Sequence, residues 1–280
     1  NTPKGSGYQA KNAYSAIASA DEWFSPVAAE VGPDGNLWVA DWYNFIIQHN
    51  PTPSAERGGY PGERGKGNAH INPNRDRQHG RIYRMIWNGS STHSQIRSLA
   101  NATTAELVAA LGNHNLLWRL TAQRLLVETK PQGVIQPLRR AILKGGRPAV
   151  HALWTLHGMG QLDREIHQAA LLSKEPILKR NAINALGNSK EDIQLFFDAA
   201  VVADRDLHVR RVAFSKMAHF PKHASLKIAI PQLFRDKVNR SDEWLALALK
   251  TAARNQGASA FSTALGPNLL INPSFEKVKD

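Results

Sequence analysis

The densest group of chemistry-bearing side chains in this sequence lies around its first long connection. His49, His70, Asn72, Arg75, Asp76, Arg77, His79 and Arg81 follow one another there, and Asp41 stands just before them. Imidazole nitrogens and carboxylate oxygens can ligate a divalent metal, and histidine titrates near neutral pH, where a general base is useful. Guanidinium groups grip carboxylates or phosphates through paired hydrogen bonds. The ordinary use of such a set is bracing, with Asp41, Arg75 and Asp76 tying an irregular loop to its neighbouring strands. Two alternatives stand beside it. In one, Asp41, His49, His70, Arg75, Asp76, His79 and Arg81 face a ligand; in the other, His70 and His79 hold a metal. No HExxH, GxGxxG, P-loop or GxSxG pattern occurs, so no catalytic residue can be named from those signatures.

The elements that must position these residues read as strands. Val27–Val31 and Asn36–Asp41 flank Gly32-Pro33-Asp34-Gly35, in which proline presets a turn, aspartate caps it and glycine accepts a left-handed backbone. This predicts a β-hairpin, with Asp34 as a turn cap rather than a calcium ligand. A third strand is expected over 80–87, with Ile82, Arg84 and Ile86 on one face and Arg81, Tyr83, Met85 and Trp87 on the other. Residues 43–79 between them lack periodicity, and a connection of that length is usually functional or mobile. Trp23, Trp38 and Trp42 are expected to pack, although aromatic faces could also stack on sugars. Three strands alone make little core, so the pattern suits the closing blade of a propeller whose other blades lie elsewhere.

From Thr103 the pattern turns helical and repeats. A small residue with a larger one four positions later recurs as Ala122/Leu126, Ala152/Leu156, Ala182/Leu186 and Ala213/Met217, with a last pair at Ala248/Ala252. Positions i and i+4 share one helix face, so each alanine lets a neighbouring helix come close while its partner fills the gap. Another apolar helix precedes each: 106–111, 134–143, 165–172, 193–202 and 226–234. Stacked pairs of this kind make a solenoid with one continuous core, here a compact HEAT-like form. The fold expected is therefore mostly α, a HEAT-like α-solenoid over 103–265 preceded by a partial antiparallel β element in 1–102. Residues 266–280 read as the start of a further module, and Asn1-Thr2-Pro3-Lys4 as an internal start.

Composition narrows the chemistry. The 280 residues include no cysteine, which removes disulfides, thiolate metal sites and a thiol nucleophile from this stretch. No apolar run reaches the roughly 18–20 residues of a membrane helix. The net charge of +12 gathers in the helical part and suits an anionic partner, nucleic acid being the less expected one. Arg139-Arg140, Lys179-Arg180 and Arg210-Arg211 could line a basic groove, although solvated helix faces are the default.

The stretches WFSPV (23–27), VGPDGNLWVADWYN (31–44) and NPNRDRQHGRIYR (72–84) together resemble the end of the β-propeller in the large planctomycete and verrucomicrobial proteins called membrane-bound dehydrogenases or PVC-type haem-binding proteins. The resemblance implies a piece of a secreted or periplasmic sugar or alcohol dehydrogenase of the quinoprotein type. Quinone, calcium and c-type haem would be cofactors of the parent, with none held in this segment. The missing blades would come from the rest of the parent polypeptide or another chain, and a cytochrome c domain would be a partner. This chain has no CxxCH for covalent haem attachment. The tail NLLINPSFE (268–276) is similar to the first strand of carbohydrate-binding jelly-roll modules. The alternative expectation is a non-catalytic spacer or interaction module binding protein or acidic polysaccharide.

Overall fold

A computed structural model describes residues 1–44, 63–64, 70–71, 78–89 and 98–258, with backbone alone for 63–64 and 70–71. The chain is mostly helical, with small antiparallel sheets in its N-terminal part. It divides into two compact units. One comprises residues 12–102 and 113–121, the other 1–11, 103–112 and 122–280. The expected module at 266–280 lies outside the described residues.

The first unit is built on strands β3 (Pro26–Val31), β4 (Leu37–Asp41) and β7 (Arg81–Met85), paired antiparallel in the order β3-β4-β7. The hairpin expected from Gly32-Pro33-Asp34-Gly35 is present, with Val31 opposite Leu37, and Gly35 takes the positive φ of 79° that this turn needs. A register shift between Pro26 and Ala28 marks a bulge in the edge strand. On β4, Val39 and Asp41 are buried while Trp38 and Ala40 face outward. The inward face of β7 carries Tyr83 and Met85, half-buried, with Phe24 packed edge-on against Tyr83. Ile82 is 73% exposed, so the alternation expected for this strand holds and its apolar Ile82/Ile86 face is the outer one. The long connection carries its own two-residue ladder, β5 (Glu63–Arg64) against β6 (His70–Ile71).

The second unit is a stack of helix pairs. It contains α1 (Thr104–Ala110), α3 (Ile135–Lys144), α4 (Arg147–Gly158), α5 (Arg164–Leu171), α6 (Pro176–Ala185), α7 (Lys190–Asp198), α8 (Leu207–His219), α9 (Ala224–Leu233), α10 (Lys237–Ser241) and α11 (Glu243–Gln256). Helix α2 (Leu116–Thr129) begins among the residues of the first unit and ends among those of the second. Starts are written locally. Thr103 and Glu106 form a capping box, as do Ser189 and Asp192; Asp163, Asp206 and Asp242 cap the helices that follow them. Pro148 and Pro176 occupy first turns, where their missing N–H groups cost nothing.

Packing follows the repeat. Helix α4 packs on α6, α6 on α8 and α8 on α11, while α3 lies against both α4 and α5, and α5 against α6. The anchors Ala122, Ala152, Ala182 and Ala213 have no exposed surface, and neither have Leu126, Leu156 and Met217. A fully buried side chain of the larger kind contributes roughly 1.5–3 kcal/mol. The fifth pair shifts by one residue. Leu245, Leu249, Ala252 and Ala253 form the buried stripe of α11, while Ala248 is only half-buried, because the stripe follows 3.6-residue geometry from Leu245.

Carboxylates link successive pairs. Arg139 binds Asp163 and Glu165, the latter at 2.7 Å; Lys179 binds Asp204; Arg210 reaches Asp236 at 3.0 Å and Asn239 at 3.1 Å. Glu175 accepts from the backbone of Gly146 at 2.8 Å. Lys179 and Asp204 are only 20% and 14% exposed at their side chains. Burial works against the Asp204 carboxylate, but the bonds from Lys179 and the Asp206 backbone, with the charges of Lys179 and Arg210, together outweigh it and hold its pKa below the usual range.

One element has no counterpart in the sequence reading. Strands β1 (Thr2–Lys4) and β2 (Gly7–Gln9) form a hairpin within the helical unit. Ser6 donates to Asp242 from its backbone nitrogen at 2.8 Å and from its hydroxyl at 2.5 Å, and Tyr8 stacks on His208 with ring centres 4.7 Å apart. A Cβ at Gly7 would overlap the Trp244 indole.

Candidate functional site

Of the residues singled out in the sequence, Asp41, His79 and Arg81 are described with side chains. Asp41 and Arg81 face each other across the β4–β7 register, yet their side chains serve different partners. The Asp41 carboxylate is 3% exposed; one oxygen accepts from the backbone of Ser25 at 2.7 Å and of Tyr43 at 2.8 Å. Its other oxygen is buried without a hydrogen-bond partner among the described residues. Arg81 extends to Asp21 at 3.1 Å and to the Tyr83 hydroxyl at 3.4 Å, with its guanidinium 3.4 Å above the Tyr43 ring. The bond to Tyr83 leads the contacts that raise its already high pKa. His79 is exposed. His70 lies on β6, its backbone opposite Arg64, whereas His49, Arg75 and Asp76 lie outside the described residues. Among the described residues no group of three His, Asp or Glu side chains is placed to hold a metal ion.

Asp34 does more than cap its turn. Its carboxylate accepts from Asn36 twice, at 3.1 Å from the backbone and 3.0 Å from the amide, from the Trp38 indole at 3.1 Å, and from Arg84. The Asn36 amide is the largest of the influences that push its pKa far below the ordinary aspartate value. Asn115 and Trp118 close the same turn by donating to the carbonyls of Gly32 and Pro33, at 2.7 and 2.9 Å. The arrangement is a brace with every acceptor in use.

The helical unit holds a different kind of place. A cleft of about 250 Å³ opens between α8 and α11, lined by Arg211, Ser215, Ala218, His219, Trp244, Leu247, Ala248 and Thr251. Positions 244, 247, 248 and 251 form a second stripe on α11, beside the one that enters the core. Trp244 is 40% and Leu247 45% exposed. Arg211 is half-buried, and its Nε is shielded from solvent with no acceptor among the described residues. Ser215 and Thr251 add exposed hydroxyls, the latter bonded to the Leu247 carbonyl at 3.0 Å.

Sequence reasoning had marked Arg210-Arg211 as one basic pair among three. The structure separates the members. Arg139, Lys179 and Arg210 are bonded to acids, while Arg180 and Arg211 have no acidic partner among the described residues. The repeat at Ala248/Ala252 marks only the core stripe of α11 and not Trp244. An indole three and seven residues ahead of Leu247 and Thr251 was the available sign of a second face.

Residues 1–88 match a family model described as a domain of unknown function, DUF7133. No curated protein matches the chain. Among the described residues no helix is long and apolar enough to cross a membrane.

Proposed function

We propose that the helical part of this chain is a non-catalytic docking module for a polyanion. One observation carries the reading: α4, α6 and α8, which pack in succession, contain no aspartate or glutamate. They carry Arg147, Lys179, Arg180, Arg210, Arg211 and Lys216. Asp204 and Asp236 pair with Lys179 and Arg210, and Glu175 and Asp206 are engaged with the backbone of Gly146 and Val209, which leaves Arg180 and Arg211 without an acidic partner among the described residues. A local excess of positive charge of this kind raises the concentration of an anion and steers its approach. The test is binding of the full chain to immobilised heparin across ionic strength. Raising salt from about 0.01 to about 0.15 M shortens the screening length from about 30 to about 8 Å, and affinity is expected to fall at least tenfold. Affinity that stays constant overturns the reading.

A second reading keeps the resemblance to PVC-type dehydrogenases. In it, the sheet closes the propeller of a secreted or periplasmic sugar or alcohol dehydrogenase, and the helices hold a cytochrome c domain in place. It is favoured by β3, an edge strand with every residue exposed, including Val27 at 61% and Val31 at 49%. Such an edge invites a further strand from the parent polypeptide or another chain. Quinone, calcium and haem would be cofactors of the parent, and this chain has no cysteine for covalent haem attachment. Dye-linked oxidation of a sugar panel by the parent protein with quinone and calcium is the test, and absence of turnover across the panel removes this reading.

A further inference from the structure

We infer that the α8–α11 cleft is a subsite for one uronate unit of an acidic polysaccharide, held by its carboxylate on Arg211 and by its C–H face on Trp244. The inference rests on the polyanion-docking reading and names the chemistry of the partner. Arg211 comes first. It lines the cleft half-buried and has no acidic partner among the described residues, so its guanidinium is available to an anion there. No carboxylate lines the cleft, so an incoming anion meets no repulsion from its walls. A guanidinium recognises a planar carboxylate through two parallel hydrogen bonds.

The remaining lining selects among anions. Trp244, which packs in part on Gly7 yet stays 40% exposed, and Leu247 give an apolar wall, and an indole face takes up apolar C–H surface while leaving polar edges wet. Ser215 and Thr251 stand on the two facing helices with hydroxyls that can bond to sugar hydroxyls, and His219 adds ring nitrogens at one end, where its Nδ1 already meets the Ser215 carbonyl at 2.8 Å. Size agrees. Pockets for drug-sized ligands run from roughly 300 to 1,000 Å³, so about 250 Å³ suits a single sugar ring and is too small for a haem or a dinucleotide. An acidic peptide would use the arginine but leave the indole face and hydroxyls without partners. A nucleic acid would be expected to need several stacking faces, and this cleft has one.

The experiment uses the full chain and tetragalacturonate, with calorimetry and intrinsic tryptophan fluorescence as readouts. The unmodified tetramer is expected to bind and to change an emission component that Trp244→Leu removes, and its fully methyl-esterified form to bind at least tenfold more weakly. Arg211→Gln is expected to lose tenfold or more in affinity, Arg211→Lys to fall between, and Trp244→Leu to lose at least fivefold, each with helix content unchanged by circular dichroism. Equal binding of acid and ester by the wild-type protein overturns the proposal without recourse to any variant. So does wild-type affinity in Arg211→Gln, or tighter binding of polyglutamate or a single-stranded oligonucleotide than of the tetramer. If heparin and polyglutamate bind in a salt-dependent way while tetragalacturonate does not, the uronate subsite fails and polyanion docking stands. If no polyanion binds, both fail.

Discussion

At the scale of single residues, the aspartates do most of the specifying. Asp242 caps α11 by accepting from Trp244 and Leu245 at 3.1 and 2.9 Å and also receives both bonds from Ser6. Burial alone would raise its pKa; the Ser6 bonds and the cap hold it low. Asp242→Ala is expected to destabilise the helical unit by about 1–2 kcal/mol in urea titrations, the range of a lost N-cap, with Ser6→Ala costing less. His167 shows the opposite balance. It is 5% exposed, its Nε2 lies 2.8 Å from the Ala182 carbonyl, and burial lowers its pKa below 6.5. Asp192 opposes the shift, while His157 and Lys216 reinforce it. Below about pH 6.5 the unfolded chain therefore binds a proton that the folded chain refuses, so stability falls as pH drops from that value toward the lowered one and is flat above it. Urea midpoints at about pH 5 and about pH 7.5 should differ in the wild type and converge in His167→Gln. Residue-level chemistry was partly legible: Asp34 in GPDG announced a turn, but nothing near it in sequence announced Arg84, fifty positions away.

Among the elements, the helix pairs were readable and the hairpin was not. The buried alanines 122, 152, 182 and 213 leave a period of 30 or 31 residues in the sequence, and it exists because larger side chains would push the helices apart. Ala182→Leu tests this and should cost about 1–3 kcal/mol through overpacking, seen as a lowered thermal midpoint. Strands of three residues leave no such period, and the β1–β2 hairpin is specified instead by distant partners, Asp242, Trp244 and His208. Gly7→Val removes the space this docking needs. Trypsin should then cut at Lys4 or Lys11 several-fold faster than in the wild type, read by mass spectrometry, while circular dichroism stays unchanged. The α8–α11 cleft was illegible for a related reason: its lining comes from two helices that the sequence separates by α9 and α10, so only the pairing of those helices reveals it.

For the molecule as a whole, charge separation matters more than net charge. Basic residues are spread along the helices, but carboxylates sit at helix starts, where they serve both cap and neighbour. In a stack where each pair touches only the next, such links act locally. Arg139→Met should lower stability by no more than about 1 kcal/mol, Lys179→Met should cost more because it strands the largely buried Asp204 carboxylate, and the double variant should match their sum within about 0.5 kcal/mol. Chemical denaturation of the three variants checks this. A coupling well beyond that margin would mean that the stack transmits strain across more than one interface.

The bond between Ser6 and Asp242 joins positions 236 residues apart. A ribosome adding roughly 5–20 residues per second places them in the same nascent chain only after a delay of about 12 to 47 seconds. Throughout that interval the first eleven residues have no final resting place, and Tyr8 and the Gly5-Ser6-Gly7 turn are open to chaperones, proteases and tailoring enzymes. Their docking is thus a late event in biosynthesis, a latch that fastens only once α11 has been made.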